Sequence, residues 1–253
     1  MSMMADPPLP PPFTWADGHV VVDLIGGRAL FSSRRGGVSE GAFASLNLGR
    51  LTADSSANVD ENRSRLAAAV GVAREKILYG RQVHEAQVRR ATEPPGPQRP
   101  HTTEDGQATA LTDAAALVFT ADCVPVMLAA DGAVTALHGG WRGLAAGILE
   151  EGVRALRELG AGGKVSAAIG PGAGGCCYEV GEEVHAAFAD HGARVGSRNL
   201  DLKRVAREKL AAAGVDEIHD CGLCTLCADP ALFFSHRRDG GVTGRQAGVV
   251  WRT

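Results

Sequence analysis

The sequence predicts an α+β fold, a layered α/β arrangement in which mixed β-sheets are flanked by helices within a single domain. Two observations carry this prediction. Short apolar β-type runs and amphipathic helices follow one another in an irregular order, unlike the regular alternation of a doubly wound parallel sheet. The 253 residues are 45% hydrophobic, which is ample for one buried core. We expect the proline-rich residues 1–14 to form a flexible tail and residues 15–253 to form the single domain.

The first part of the chain alternates β-type runs with one helix. Residues 58–70 carry apolar side chains at helical spacing among charged ones, and Gly71 closes the predicted helix. A loop at 93–101 contains four prolines and is the best candidate for a domain boundary, but the apolar runs on either side are too similar to indicate separate domains. The predicted strands of this part are 20–24, 30–33, 77–78 and 83–88.

The second part of the chain contains three further helices. Residues 144–159 repeat apolar side chains at helical spacing up to Gly160, which favours one continuous helix. Helices are also predicted at 182–189 and 202–213, the latter with Asp201 as its N-cap. The predicted strands are 115–119, 124–128, 134–137, 165–169, 217–220, 232–235 and 249–251.

Composition and charge exclude several classes of function. The formal net charge is −3, and the acidic and basic residues are interspersed, so no basic face indicates binding to nucleic acid or to a membrane surface. The proline-rich N-terminus lacks the basic and apolar segments of a signal peptide, and no apolar stretch is long enough to span a membrane. We expect a cytoplasmic protein that acts on small molecules.

Six cysteines without a secretion signal indicate free thiols or metal ligands rather than disulfides. Cys221, Cys224 and Cys227 form a C-x2-C-x2-C run similar to the start of a ferredoxin motif, but an alanine stands where the fourth cysteine would be. Neighbouring Cys176 and Cys177 are not expected to bind one metal together. The pattern therefore favours buried thiols over an iron–sulfur cluster.

Two short segments mark the candidate site. Cys123 ends the segment Thr-Ala-Asp-Cys, His138 begins the segment His-Gly-Gly-Trp-Arg-Gly, and each segment follows an apolar β-type run. With His84 they would form an incomplete tetrahedral shell, and an open fourth position is typical of catalytic zinc.

The residue types alone leave three chemistries open. These are zinc-assisted hydrolysis or group transfer, a thiol hydrolase or deamidase with Cys123 as nucleophile and His138 as base, and a copper site with Met127 as a weak ligand. Multicopper oxidases need about ten histidine ligands. The chain has eight histidines and no His-x-His pair, which argues against copper oxidation.

An ordered set of short motifs runs from about residue 31 to residue 251: Gly36-Gly37-Val38-Ser39, Ser45-Leu46-Asn47-Leu48-Gly49, Asn62-Arg63, Gln82-Val83-His84, Ala121-Asp122-Cys123-Val124-Pro125, His138-Gly139-Gly140-Trp141-Arg142-Gly143, Ile169-Gly170-Pro171, Cys177-Tyr178-Glu179-Val180-Gly181, Asp201-Leu202 and Phe233-Phe234-Ser235-His236-Arg237-Arg238. This set resembles the YfiH/YlmD family, also called the laccase-domain or polyphenol oxidase family. The resemblance covers nearly the whole chain after the tail.

The resemblance implies a single-domain fold of layered sheets and helices, with a metal held by His84, Cys123 and His138. It implies zinc-dependent purine nucleoside phosphorylase activity on adenosine, inosine and S-methyl-5'-thioadenosine, accompanied by adenosine deaminase activity. Copper is the alternative metal, because the same family carries the older label of a copper-dependent polyphenol oxidase, or laccase. Purine nucleosides and phosphate are therefore the expected small-molecule partners.

Further residues are candidates for binding substrate. Asn47 suits a sugar hydroxyl or the base but equally closes its own loop, and Glu179 is a candidate acid/base group for deamination or a charge without that role. Glu85 stands where the family commonly has glycine, which leaves the substrate preference open. Four arginines are candidates for the anion, and each could equally form a structural ion pair: Arg63, Arg81, Arg142 and Arg238.

Overall fold

The structure is a computed structural model that describes residues 6–95 and 102–253. Within these residues, two six-stranded sheets pack face to face and helices cover their outer faces, which confirms the α+β prediction. The helices are α1 (Ser56–Val70), α2 (Trp141–Ala145), α3 (Ile148–Glu158), α4 (Glu182–Ala187) and α5 (Leu202–Ala212). The strands are β1 (Thr14–Ala16), β2 (His19–Leu24), β3 (Gly27–Phe31), β4 (Ile77–Leu78), β5 (Val88–Ala91), β6 (Gly106–Thr109), β7 (Ala115–Thr120), β8 (Val124–Asp131), β9 (Ala133–Gly139), β10 (Gly162–Ile169), β11 (Arg194–Val195), β12 (Asn199–Leu200), β13 (Glu217–Asp220) and β14 (Gln246–Arg252).

Both sheets are mixed. The first has the strand order β1-β2-β3-β14-β7-β4, and the second has the order β13-β10-β8-β9-β6-β5. Most neighbouring strands are antiparallel, whereas β4–β7, β5–β6 and β10–β13 are parallel pairs. The short strands β11 and β12 form a separate antiparallel pair.

Strand β8 shows how the sequence produces the layers. Val126 and Leu128 face the helices, whereas Met127 and Ala129 face the first sheet, because successive side chains of a strand point to opposite sides. All four are fully buried. A strand buried on both faces reads as a continuous apolar run, and β8 does so.

Different helices cover the outer faces of the two sheets. Helix α1 packs Leu66 and Val70 against the first sheet, and it ends at Gly71, whose φ of 70° is in the left-handed region that favours glycine. Helices α3, α4 and α5 cover the second sheet. Asp201 caps α5, since its side chain accepts the backbone N–H of Arg204 at 3.0 Å, as predicted.

Three predicted elements are wrong. The continuous helix 144–159 is divided into α2 and α3, because Gly147 adopts a φ of 91° between them. Residues 83–87 are a loop rather than the start of a strand, since His84 has a φ of 66°. Residues 232–235 are not a strand, because the N–H and C=O of Phe234 bind the side chain of Gln246 instead of a neighbouring strand.

The predictions for the N-terminal tail and for the loop at 93–101 lie partly outside the described residues. Residues 1–5 of the predicted tail and residues 96–101 of the predicted loop are not among them. Of the remaining tail, Phe13 is buried between the sheets, and Trp15 Nε1 donates a hydrogen bond to the carbonyl of Pro7 at 2.8 Å. Among the helices of the described residues, none has the length and apolar character needed to cross a membrane.

Candidate metal centre

The pairing of β8 with β9 brings Cys123 and His138 together. Cys123 directly precedes β8, and His138 is the penultimate residue of the antiparallel β9, where it lies opposite Pro125. The start of β8 and the end of β9 therefore meet at one edge of the second sheet. Each residue follows an apolar run, β7 or β9, as predicted, but the two meet because Cys123 also precedes β8, the strand that pairs with β9.

His84 reaches the same edge through the loop between β4 and β5. Its φ of 66° is uncommon for a residue with a side chain. The carboxylate of Asp105 holds this conformation, because it accepts the backbone N–H groups of Val83, His84 and Glu85 at 2.9–3.0 Å. Such an over-determined, sparsely populated conformation is common at functional sites.

Asp105 also orients His138. The distance between His138 Nδ1 and Asp105 Oδ1 is 2.7 Å, and Asp105 is fully buried beside β6, the strand that pairs with β9. With Nδ1 engaged by the carboxylate, Nε2 is the nitrogen left to bind a ligand. A carboxylate behind a ligating histidine is a recurrent feature of metal sites, since it fixes the ring and raises its basicity.

The three donor groups have the arrangement of a metal shell. One ligand atom from each of His84, Cys123 and His138 lies within 4.8 Å of the other two, with Cys123 Sγ 3.9 Å from His84 Nε2. A Cβ placed on Gly140 would lie 2.9 Å from His84 Cδ2 and 3.4 Å from Cys123 Sγ, so glycine keeps this space open. Two imidazoles and one thiolate suit a zinc or copper ion with an open position. The site can therefore bind a metal.

The protonation of the site follows from its charges. Burial disfavours the thiolate of Cys123, but the adjacent His138 outweighs this and lowers the pKa of the thiol to about 6. Burial also disfavours the charged form of His138, yet the thiolate and Asp105 raise the pKa of its imidazole to about 9. Burial opposes ionisation of Asp105, but hydrogen bonds from His138 and from backbone N–H groups keep its pKa below the ordinary value. Without a metal, these shifts favour the thiolate of Cys123 and the imidazolium of His138.

Asp122 ties the sheet edge that carries Cys123 and His138 to two distant loops. Its φ is 92°, and its carboxylate accepts the hydroxyl of Thr225 at 2.6 Å and the backbone N–H of Arg237 at 2.7 Å. Its carbonyl accepts the N–H of Ala173 at 2.7 Å. These contacts fix the backbone from which Cys123 projects.

The charges of Cys123, Arg142 and Arg237 all act on the hydroxyl of Tyr178. The exposed Arg142 lies over the Trp141 ring at 4.3 Å, and no carboxylate within the described part of the chain pairs with it. Arg237 lies over the Tyr178 ring at 5.6 Å. Burial and the charge of Cys123 raise the pKa of Tyr178 to about 12, so its hydroxyl stays protonated and can donate a hydrogen bond.

Three of the predicted substrate residues have their polar groups engaged inside the protein. Asn47 is fully buried and binds Thr52, Asp54 and two backbone N–H groups, so it closes its own loop. The guanidinium of Arg63 donates twice to the carbonyl of Leu48 and lies over the rings of Tyr79 and Phe119. Arg238 binds Asp239 and the carbonyls of Thr225 and Phe233. These contacts favour structural roles.

The other predicted residues lie at the surface. Glu179 forms an exposed ion pair with Arg198 at 3.0 Å. Arg81 is exposed three residues before His84, and its backbone binds Thr102 and Glu104. Of all the predicted substrate residues, Arg142 and Arg81 therefore retain exposed guanidinium groups without an ion pair among the described residues.

Sequence reasoning missed several residues of the site. Asp105 has no local signal, because it is one of two adjacent acidic residues before a short strand. Tyr178 and Arg237 stand within two of the family-like motifs, but their residue types alone indicate no role. Arg245 was missed as well, although the charges of Cys123 and Asp122 act on its half-buried guanidinium.

Comparison with known proteins places this chain in a family. Residues 28–253 match the family described as multi-copper polyphenol oxidoreductase laccase. A purine nucleoside phosphorylase of Deinococcus radiodurans is 40% identical over 230 residues, which is 87% of each chain. The structure of the hypothetical protein YfiH from Bacillus licheniformis is similar with a TM-score of 0.86 at 31% identity, covering 96% of this chain and 100% of that one. YlmD from Geobacillus stearothermophilus gives 0.81 at 36% identity, covering 90% and 92%. The chain therefore belongs to the YfiH/YlmD family of laccase-like domains.

Proposed function

We propose that this protein is a zinc-dependent purine nucleoside phosphorylase that converts adenosine, inosine and S-methyl-5'-thioadenosine, together with phosphate, to the free base and the sugar 1-phosphate. We further propose an accompanying adenosine deaminase activity. The observation that carries the proposal is the cluster of His84, Cys123 and His138, with donor atoms within 4.8 Å and an open side at Gly140. The Deinococcus relative, named a purine nucleoside phosphorylase, supports the substrate class.

The donor set fits zinc with one position left for an exchangeable ligand. Zinc held there would act as a Lewis acid toward an oxygen of phosphate, water or the sugar. Asp105 keeps the Nδ1 proton of His138 in place, so that Nε2 stays available to the metal. His84 is exposed, and this leaves the metal-binding edge open to substrate.

Arg142 is the best candidate to bind the phosphate. Its exposed guanidinium follows His138 by four residues and has no carboxylate partner within the described residues. A guanidinium presents paired donors that match phosphate oxygens. In phosphorolysis the phosphate attacks C1′ of the ribose as the bond to the base breaks. Arg142 would hold the attacking anion, and the protonated Tyr178 hydroxyl would donate a hydrogen bond to the nucleoside.

Product analysis tests this proposal directly. Adenosine is incubated with the zinc-loaded protein, with and without phosphate, and the products are separated by chromatography. Release of adenine only with phosphate supports phosphorolysis, whereas inosine formed without phosphate supports deamination. We expect Cys123→Ser to lose both activities and Cys221→Ala, which alters a thiol outside the site, to keep them. A zinc-loaded protein that leaves every purine nucleoside unchanged would overturn the proposal.

A thiol hydrolase or deamidase is the second candidate. It is favoured by the chain of contacts from Asp105 to His138 to Cys123, since a carboxylate that orients a histidine beside a thiol is the arrangement of a thiol nucleophile and its base. Metal removal separates the two functions. If the metal-free protein hydrolyses amides or esters and Cys123→Ser abolishes this, the thiol function stands and the zinc function is wrong.

The metal content of the protein also tests whether the site holds copper instead of zinc. The description of the matching family includes copper, and a site with two histidines and one cysteine suits either ion. We propose zinc, because the chain lacks the ten or so histidines that a multicopper centre requires. Elemental analysis of the purified protein, combined with nucleoside and phenol turnover by zinc-loaded and copper-loaded samples, distinguishes the two.

A further inference from the structure

Four cysteines outside the His84, Cys123 and His138 site come together on one side of the second sheet. Cys176 and Cys177 lie in the turn that follows β10, whereas Cys224 and Cys227 lie in the loop that follows β13. Because β10 and β13 are neighbouring parallel strands, both connections leave the sheet at the same edge. Cys224 is buried, as expected, but the expectation of buried thiols is wrong for Cys176 and Cys227, which are exposed and face each other.

The spacing of the sulfur atoms matches a single tetrahedral ion. The four Sγ atoms all lie within 4.8 Å of one another, and Cys176 Sγ is 3.6 Å from Cys227 Sγ. A Zn–S bond of about 2.3 Å places the sulfur atoms of a tetrahedron about 3.8 Å apart. An iron–sulfur cubane attaches each thiolate to a different corner and needs sulfur atoms farther apart. The cluster is therefore sized for one metal ion.

The backbone around Cys224 is arranged to support a thiolate. Its Sγ accepts the backbone N–H of Gly174 at 3.3 Å. This N–H donor stabilises negative charge on the sulfur, as hydrogen bonds to the ligands of a metal do.

The two connections are joined by backbone contacts as well as by sulfur. Gly172 and Cys224 form a parallel bridge, and the N–H of Thr225 donates to the carbonyl of Gly172 at 3.1 Å. Buried Lys203 places its ammonium 2.8 Å from the carbonyl of Leu223, just before Cys224, with Asp220 as its carboxylate partner at 3.4 Å. The sulfur cluster thus sits on a preformed backbone frame with a buried cation nearby.

We propose that Cys176, Cys177, Cys224 and Cys227 bind one zinc ion as a second, structural metal site. All four positions of the tetrahedron are filled by protein, in contrast to the open site at His84, Cys123 and His138. Binding converts four thiols to thiolates and releases their protons to solvent, and no electron is transferred. Cys221, the first cysteine of the C-x2-C-x2-C run, is not part of this site.

The second site would hold the loops that support the first. Thr225 lies between Cys224 and Cys227, and its hydroxyl donates to Asp122, the residue before Cys123. Tyr178 follows Cys177 directly and responds to the charge of Cys123. A metal that joins the two connections therefore fixes residues on one side of the open site. Its role is positioning, because none of its ligands contributes a donor atom to the open site.

Zinc stoichiometry tests the proposal independently of any enzymatic activity. Each protein is expressed with zinc, passed through a desalting column and analysed for zinc per chain. We expect two zinc ions in the wild-type protein, one in Cys123→Ser, one in the double variant Cys224→Ser/Cys227→Ser, and two in the matched control Cys221→Ala. One zinc in the wild-type protein and none in Cys123→Ser would overturn the second site, as would loss of zinc from Cys221→Ala.

X-ray absorption of zinc-loaded Cys123→Ser keeps the proposal testable if the double variant does not fold. The zinc remaining in this variant is expected to have four sulfur neighbours at about 2.3 Å and no nitrogen neighbour. A shell that contains nitrogen or oxygen refutes the assignment. Mass spectrometry of the wild-type protein is a further test. A Cys176–Cys227 disulfide would lower the mass by two hydrogen atoms and would exclude the four-thiolate site.

Discussion

Gly140→Ala is expected to weaken metal binding at the open site without unfolding the protein. Gly140 precedes α2 with a φ of −70° and a ψ of 155°, a conformation that alanine adopts without strain. The added methyl group would lie 2.9 Å from His84 Cδ2, 3.4 Å from Cys123 Sγ and 3.7 Å from His138 Cε1. One methyl group therefore contacts all three predicted ligands at once.

The distances set the size of the effect. Carbon atoms in favourable contact lie about 3.5–4.0 Å apart, so the His84 ring must move by about 0.6 Å or more. Metal–ligand distances tolerate shifts of about 0.2 Å. Changes next to metal ligands typically reduce metal affinity about 10–100-fold, and we expect a loss in this range for Gly140→Ala. This corresponds to about 1.4–2.7 kcal/mol of binding free energy.

The assay is a zinc titration of metal-free protein in competition with a chromophoric chelator. The zinc-binding step that is absent in Cys123→Ser is assigned to the open site. The matched control is Gly162→Ala, because a Cβ at Gly162 has no heavy atom within 4 Å and its backbone is not in the left-handed region. The control should bind zinc as the wild-type protein does. A wild-type dissociation constant for Gly140→Ala would refute the geometry of the site.

Four further substitutions separate the roles of individual residues. Asp105→Asn replaces a carboxylate that accepts three backbone N–H groups and binds His138, so zinc affinity at the open site should fall about 10–100-fold in the same titration. An unchanged affinity would contradict the orienting role. Arg142→Ala should raise the KM for phosphate, while urea denaturation shows a free energy of unfolding within about 0.5 kcal/mol of the wild-type value. Arg63→Ala should have the reverse effect. The KM for phosphate should stay unchanged, and the free energy of unfolding should fall by about 3 kcal/mol, because the carbonyl of Leu48 loses two hydrogen bonds from a charged group. Equal KM values for the two arginine variants would contradict this assignment. Thr225→Val leaves a carboxylate oxygen of Asp122 without its hydroxyl donor. The free energy of unfolding, measured by urea denaturation, should therefore fall by about 2 kcal/mol. A stability equal to that of the wild-type protein would count against this contact.

The layered architecture could be predicted because its pattern is local. Strand β8 is a continuous apolar run, and the strands before and after it in the chain, β7 and β9, have similar runs. Helix boundaries followed from Gly71 and Asp201, whose effects depend on their own backbone or on the next few residues. The division of the helix at Gly147 was missed, since a single glycine within an apolar repeat is compatible with a continuous helix.

The site could be predicted only in part. His84, Cys123 and His138 came from strand ends and motif resemblance, and the structure brings their donor atoms together. The roles assigned to the arginines did not follow from residue type, because a guanidinium serves equally well to bind an anion or to hold a loop. Arg63 holds the loop at Leu48, and this depends on where that carbonyl lies in space.

The sequence by itself determined the fold class and most of the strands and helices, and it singled out the three residues predicted to hold a metal, since hydrophobic periodicity and motif order are carried by neighbouring residues. Only the tertiary structure decided which distant groups meet. Asp105 contacts His138 across 33 positions, Thr225 contacts Asp122 across 103, and Cys176 faces Cys227 across 51. Such contacts depend on the pairing order of the strands. Chain folding sets that order through the combined burial of both sheets, and no local pattern specifies it.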